Sequence, residues 1–145
     1  MEVKQISARD TYTIRHKILR PGRDFETCIF DGDEDEQTFH LGAFIEGRLV
    51  SVASFYYEKN PNFEGENHFQ LRGMATLEEF QRKGFSRELL RVAFPIIKQN
   101  FCNLVWCNAR VEACPFYENL GFEPFGEVFD IPDVGQHILM SKVIN

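Results

Sequence analysis

The residue pattern predicts an α/β chain of the α+β kind, one domain over residues 1–145 in which a mixed sheet carries helices on its faces. Three observations lead to it. A chain of 145 residues with 43% hydrophobic and 14% aromatic content has apolar surface enough for one core, without disulfides or metal staples. No internal repeat, low-complexity tract or Pro/Gly-rich linker divides it. The hydrophobic periodicities run in the order β-α-β-β-β-α-β-α-β-β, which lacks the strict βα alternation of a doubly wound domain.

Residues 3–6 form a short strand, and Ser7 or Asp10 caps a helix that reaches Arg20, where Pro21-Gly22 stops it. Residues 38–45 and 48–57 read as strands around Glu46-Gly47, a pair suited to a tight hairpin. Asn60-Pro61-Asn62 breaks the second of these, and a further strand covers residues 68–76. Phe85, Leu89, Ala93 and Ile97 recur every four residues with Val92 and Ile96 beside them, so residues 84–99 form an amphipathic helix. Pro95 lies inside it, loses the amide bond to Arg91, and predicts a kink or an end near Phe94. Residues 103–108 are a short buried strand, and a helix from Val111 ends at Gly121, a left-handed cap. Residues 122–129 and 136–143 are two last strands around Ile131-Pro132-Asp133.

Composition excludes several functions. A net charge of −6 removes the electrostatic footprint of a general nucleic-acid binder. No stretch approaches the roughly 18 apolar residues of a membrane span, and the first residues lack the apolar run of a signal peptide, so the expected location is cytoplasmic. Cys28, Cys102, Cys107 and Cys114 form no C-x-x-C pair and read as free thiols. The acidic run from Asp31 to Glu36 resembles a calcium loop only at first glance. Counting from Asp31, the sixth position is Glu36 instead of Gly and the twelfth is Gly42 instead of Glu.

The segment from Met74 to Arg87 carries the chemistry. A strand ends at Thr76, a short loop holds Arg82, Lys83 and Gly84, and a long helix opens with the small Ser86. A helix N-terminus presents unpaired amides and binds phosphate. Gly84 lets the backbone approach an anion, while Arg82, Lys83 and Arg87 supply counter-charge. Residues 81–91 hold four bases and one acid, a local positive field in an acidic chain. Neither the Walker spacing nor the three spaced glycines of a dinucleotide fingerprint is present. Taken alone, an ordinary capped helix start accounts for the segment.

Read with its surroundings, the segment says more. Gln81-Arg82-Lys83-Gly84-Phe85-Ser86 resembles the acyl-CoA-binding motif Gln/Arg-x-x-Gly-x-Gly/Ala of the GCN5-related N-acetyltransferases. About thirty residues on, the run from Ala113 through Phe116-Tyr117 to Gly121-Phe122 is similar to that family's second landmark, A-x-x-F-Y-x-x-x-G-F. The resemblance implies a mostly antiparallel sheet flanked by helices and an N-acetyltransferase that moves an acetyl group from acetyl-CoA to an amine by direct attack. It further implies that Met74, Ala75 and Thr76 offer backbone groups to pantetheine, and that the loop residues Gln81, Arg82, Lys83, Gly84, Phe85, Ser86 and Arg87 hold the pyrophosphate. Tyr117 is implied near the thioester sulfur. Two departures stand out. Ser86 occupies a position where Gly or Ala is preferred, and Arg110 one where many relatives carry Asn, which leaves the usual hydrogen bond to Asn108 or unmade.

Direct attack needs a neutral amine, and a lysine-like amine of pKa about 10.4 is under about 0.1% neutral at pH 7. A phenol is less acidic than a thiol by about 1.5 units, so Tyr117 acts on the leaving thiolate mainly through a hydrogen bond. The base is the gap. Gln70 and Arg72 stand where relatives often place Glu or His, and neither accepts a proton usefully. His68, of the same strand parity, is the candidate base and His40 a weaker one, while His16 and His137 have no context that singles them out. The acceptor pocket is expected from residues 18–38 and 56–67, which are acidic and carry Phe25, Phe30, Tyr56, Tyr57 and Phe63. That lining favours a small cationic amine, a small molecule in preference to a protein, with polyamine, aminosugar, amino acid and protein lysine all open. No nucleic-acid or membrane partner, no metal, and a monomer or homodimer are expected. The missing base motivates an alternative, an acyl-CoA-binding sensor without turnover.

Overall fold

A computed structural model describes residues 1–144. Its strands are β1 (Glu2–Ile6), β2 (Phe39–Ile45), β3 (Arg48–Tyr57), β4 (His68–Thr76), β5 (Leu104–Arg110), β6 (Glu123–Ile131) and β7 (Gly135–Val143). They form one sheet in the order β1-β2-β3-β4-β5-β7-β6. Each neighbouring pair is antiparallel except β4 and β5, which run parallel. Between them lie the helices α1 (Ala8–Leu19), α2 (Phe85–Gln99) and α3 (Cys114–Asn119). The element order is the one the periodicities predict.

Local chemistry explains the boundaries. Ser7 opens α1 through a reciprocal cap, its hydroxyl accepting from the Asp10 amide at 3.2 Å while the Asp10 carboxylate accepts from the Ser7 amide at 3.3 Å. Glu46 and Gly47 take φ of +48° and +80°, the left-handed pair that a two-residue hairpin requires. At the end of α3, Gly121 has φ of +95°, and the amides of Gly121 and Phe122 donate to the carbonyls of Glu118 and Tyr117. That double closure is a Schellman stop.

Two expectations are corrected. Of the kink or end expected near Phe94, the end does not occur: the helix runs on to Gln99, because Pro95 and Arg91 both lie on its exposed side. There the freed Arg91 carbonyl meets water, and burial of Ala93 and Ile97 holds the far turn. The segment expected to be helical from Val111 begins as a 3-10 turn, Val111–Ala113, and α3 starts only at Cys114, with Pro115 in its first turn.

One core joins the sheet to its helices through Ile14 of α1, Leu89, Leu90 and Ile97 of α2, and Leu41, Phe55, Phe69, Val105 and Met140 of the sheet. All four cysteines are free, and among the described residues no group of His, Cys, Asp and Glu could hold a metal. No helix among the described residues is long and apolar enough to cross a membrane.

Candidate active site

The parallel pair β4 and β5 is hydrogen-bonded only from His68, Phe69 and Gln70 to Leu104, Val105 and Trp106. Beyond Gln70 the strands part. A bulge marks the place: Val52 pairs with Ala75 and Ser54 with Arg72, so Gly73 and Met74 together oppose the one residue Ala53. Gly73 takes φ of +65° there, and a side chain on it would come within 3.1 Å of Arg15 Nε and the Phe30 ring. Two cavities flank the opening, and Ile18, Met74, Ala113 and Tyr117 line both.

The first cavity, about 340 Å³, runs from the open edge of β4 to the start of α2. Met74, Ala75, Thr76, Gln81, Arg82, Gly84, Phe85, Ser86, Arg87 and Tyr117 line it as the sequence reading expects, and Phe80 and Phe116 add apolar walls. Arg82 and Gly84 turn the chain with φ of +62° and +88°, and no side chain caps the helix that follows. The leading amides of α2 therefore open on the cavity with the helix dipole behind them. A Cβ on Gly84 would meet nothing within 4 Å, so the space in front of this backbone is free for a ligand. The Gln81 side chain donates to the Thr76 carbonyl at 3.0 Å and braces the loop. Ser86 Oγ lies 3.2 Å from Thr76 Oγ1, which lies 2.7 Å from Ser51 Oγ, so the unexpected hydroxyl is tied into a chain of hydroxyls. Lys83 is exposed and does not line the cavity.

Tyr117 projects from α3 between the rings of Phe116 and Phe122, at 5.2 and 5.3 Å. Burial, and then the neighbouring thiols Cys107 and Cys114, push its phenol far above the ordinary value. Burial likewise pushes the Cys107 thiol up to about 12. Tyr117 thus stays protonated and can serve as a hydrogen-bond donor, not as a base.

The second cavity, about 400 Å³, opens on the other side of Met74 between β4, β5 and the end of α1. Asn108 faces this cavity and not the first, so the structure separates it from the loop that precedes α2. Arg20, Arg72, Arg110 and His137 join it. His137 is nearly buried, and its Nδ1 donates to the Gly135 carbonyl at 2.8 Å, which leaves Nε2 with its lone pair. Sequence reasoning passed over this histidine because the lock comes from the bend at the start of β7.

His68 lies elsewhere. It is fully buried, its Nδ1 accepts from the Asn60 amide at 3.0 Å, and its Nε2 donates to the Glu64 carbonyl at 2.8 Å. Both nitrogens are spent on closing the loop between β3 and β4, and His68 lines neither cavity. His40 is spent too. It accepts from Ser54 Oγ at 2.6 Å and donates to the Asp33 carbonyl at 3.0 Å. This belongs to a buried network in which Arg15 grips Asp33 with two bonds of 2.8 and 3.0 Å and also reaches Ser54 Oγ and Tyr56. The acidic residues Asp31, Asp35, Glu36 and Glu58, expected in the acceptor pocket, line a separate depression that shares only Gln70 and Arg72 with the second cavity.

Comparison with known proteins bears on the family and the fold. The model of the acetyltransferase (GNAT) family matches residues 4–122. The chain is 42% identical over 144 residues to YitI of Bacillus subtilis (strain 168), described as an uncharacterized N-acetyltransferase, covering 99% of this chain and 97% of that one. In fold it is similar to an aminoglycoside 6'-N-acetyltransferase solved with coenzyme A, with a TM-score of 0.80, 11% identity and coverage of 100% and 98%. It is also similar to the ribosomal-protein-S18-alanine N-acetyltransferase of Escherichia coli, with a TM-score of 0.75, 18% identity and coverage of 99% and 94%.

Proposed function

The chain belongs to the acetyltransferase (GNAT) family, a family of enzymes that use acetyl-CoA, and from that premise we propose that it acetylates a primary amine by direct attack across the parting of β4 and β5. One observation carries the assignment of roles: Tyr117 lines both cavities at once, so a group held in one meets a group held in the other beside this side chain. The cavity at the start of α2 suits the donor. Its uncapped helix terminus, the glycine at φ of +88° and the bases Arg82 and Arg87 suit a pyrophosphate, and the unpaired edge of β4 from Met74 to Thr76 suits the amide-bearing arm. The second cavity suits the amine.

In the step itself the amine nitrogen bonds to the acetyl carbon and the carbon–sulfur bond breaks. His137 Nε2 takes the proton that nitrogen releases, and Tyr117 donates a hydrogen bond to the departing sulfur. His137 then gives up its proton, through solvent, to the thiolate, so the products are an amide and the CoA thiol, and the other proton lost by the original ammonium goes to solvent. Holding amine and thioester side by side supplies the remaining advantage through proximity.

Steady-state thiol release tests the roles. Tyr117→Phe lowers kcat by about tenfold, the worth of one hydrogen bond, and leaves acetyl-CoA affinity within about twofold. His137→Gln lowers kcat by about 100-fold or more, the worth of a positioned proton acceptor. Full turnover by Tyr117→Phe, or by His137→Gln, overturns the role concerned.

A further inference from the structure

The cavity that Tyr117 shares with the donor site holds three guanidinium groups and, among the described residues, no carboxylate. Arg20 ends α1, Arg72 lies on β4 just past its last pairing with β5, and Arg110 ends β5; all three are half-buried. None makes an ion pair with a described residue. Arg20 donates one hydrogen bond to the Leu19 carbonyl at 3.2 Å, and Arg72 and Arg110 donate none to a described residue. Burial, and then the charges of Arg23, Arg110 and Arg72, pull the Arg20 pKa below its ordinary value, so these cations feel one another.

The arrangement is held in place. The Phe30 ring is a platform with the Arg72 guanidinium 4.6 Å and the Arg20 guanidinium 5.8 Å from its centre. Arg15, 4.1 Å from the same ring, is neutralised by Asp33 and serves as backing. None of the chain's 22 acidic residues lines this cavity, while four line the depression next door, which Arg72 also borders. Half-buried guanidinium forks with open donors fit carboxylate or phosphate oxygens in a planar, two-point grip.

We propose that the acetyl acceptor is a small primary amine that also carries an anionic group, a carboxylate or a phosphate, held by Arg72 and Arg110 with Arg20 beside them while the amine turns toward Tyr117. The proposal rests on the acetyl-transfer reading above and names the substrate class of that site. Two consequences follow from the charge. One bound carboxylate leaves a net positive field, and a positive field disfavours ammonium, so the arginines help the amine reach its neutral, attacking form. An ammonium without an anionic partner is repelled, which selects against polyamines.

The test uses matched pairs that differ only in the anion: phenylalanine against phenethylamine, and O-phosphoethanolamine against ethanolamine, with spermidine as the cationic contrast. Each is titrated calorimetrically into CoA-saturated protein and into protein without CoA, and each is offered with acetyl-CoA in the thiol-release assay. In at least one pair the anionic member binds and reacts roughly 10- to 100-fold better than its partner. Which pair responds separates carboxylate from phosphate. Arg72→Gln and Arg110→Gln each bring that ratio toward one, and Arg110→Lys, which keeps the charge but not the fork, restores part of it. Equal binding within both pairs, preference for spermidine, or no binding by any anionic member overturns the proposal. Failure of acetyl-CoA itself to bind overturns the acetyl-transfer reading instead, and the titrations without CoA still report on the arginine cavity.

Discussion

A pair of substitutions at Gly84 isolates charge at the donor loop from shape. Gly84 sits at φ of +88°, where Asn and Asp are the non-glycine residues best tolerated, and its missing Cβ faces open space. Gly84→Asn and Gly84→Asp therefore share the same strain, about 1–2 kcal/mol, and nearly the same volume. They differ by one negative charge. If the leading amides of α2 hold a pyrophosphate, that charge comes to lie on the order of 4 Å from two phosphate charges, each pair costing about 1 kcal/mol with water-like screening and about 4 kcal/mol at an effective dielectric near 20. The lower figure, counted twice, is about 2 kcal/mol, or roughly 30-fold in Kd. Salt near 0.15 M leaves most of it, since the separation is well inside the Debye length of about 8 Å. Isothermal titration of acetyl-CoA into both variants measures the ratio, with thermal melts of the free proteins as the control for shared strain. Binding within threefold of one another by Asn and Asp variants would mean that no phosphate faces Gly84, and the donor site assigned to this loop would be wrong.

Two predictions concern the buried network that backs the acceptor cavity. The Arg15 and Asp33 side chains are 0% and 2% exposed, so Asp33→Asn strands a buried cation and costs about 3–5 kcal/mol in urea unfolding; an unchanged midpoint refutes the pairing. Burial chiefly, together with the nearby Arg15 charge, lowers the His40 pKa against the opposing pull of the Asp33 carbonyl, so its folded-state contribution is whole above the unfolded value of about 6.5 and drains away as pH falls below it. Urea midpoints at pH 7.5 and 5.5 show a larger fall for the native chain than for His40→Asn, and equal falls refute that linkage.

Much of the donor site is legible in the sequence because its parts are close together. A strand, a turn with Gln81 and Gly84, and a helix start at Phe85 fall within a dozen residues, so their spacing alone brings the loop against the open helix terminus. Tyr117 is legible for the same reason, one short helix with Gly121 as its stop. The acceptor cavity is not, since Arg20, Arg72 and Arg110 come from three elements whose meeting depends on sheet order. The one visible signal was that Arg72 and Arg110 both stand where the family resemblance leads one to expect a different residue. Acidic loop residues favour a cationic acceptor in the sequence, but composition gives a loop's charge and not which cavity its side chains line. His68 misled for a related reason. Strand parity gives its face, but only the loop folding back from Asn60 and Glu64 reveals that both nitrogens are already engaged.

Stability and selectivity meet at the bulge in β4. Gly73 lies three residues past the last pairing of β4 with β5, and the absence of a side chain there leaves room for Arg15 Nε and the Phe30 ring, each 3.1 Å from where a Cβ would stand. Arg15 Nε is buried without a hydrogen-bond partner, so Asp33, Ser54, Tyr56 and the Cys28 carbonyl must carry the whole of its charge through the other two nitrogens. Phe30 rests on that guanidinium, and Arg72 and Arg20 rest on Phe30. The core ion pair is thus the foundation of the arginine cluster. The loss of Asp33 reaches the arginine cavity by way of one aromatic ring as well as appearing in the unfolding midpoint, whereas the loop around Gly84 shares no hydrogen bond or ion pair with these groups among the described residues, and acetyl-CoA binds as before in the folded Asp33→Asn protein.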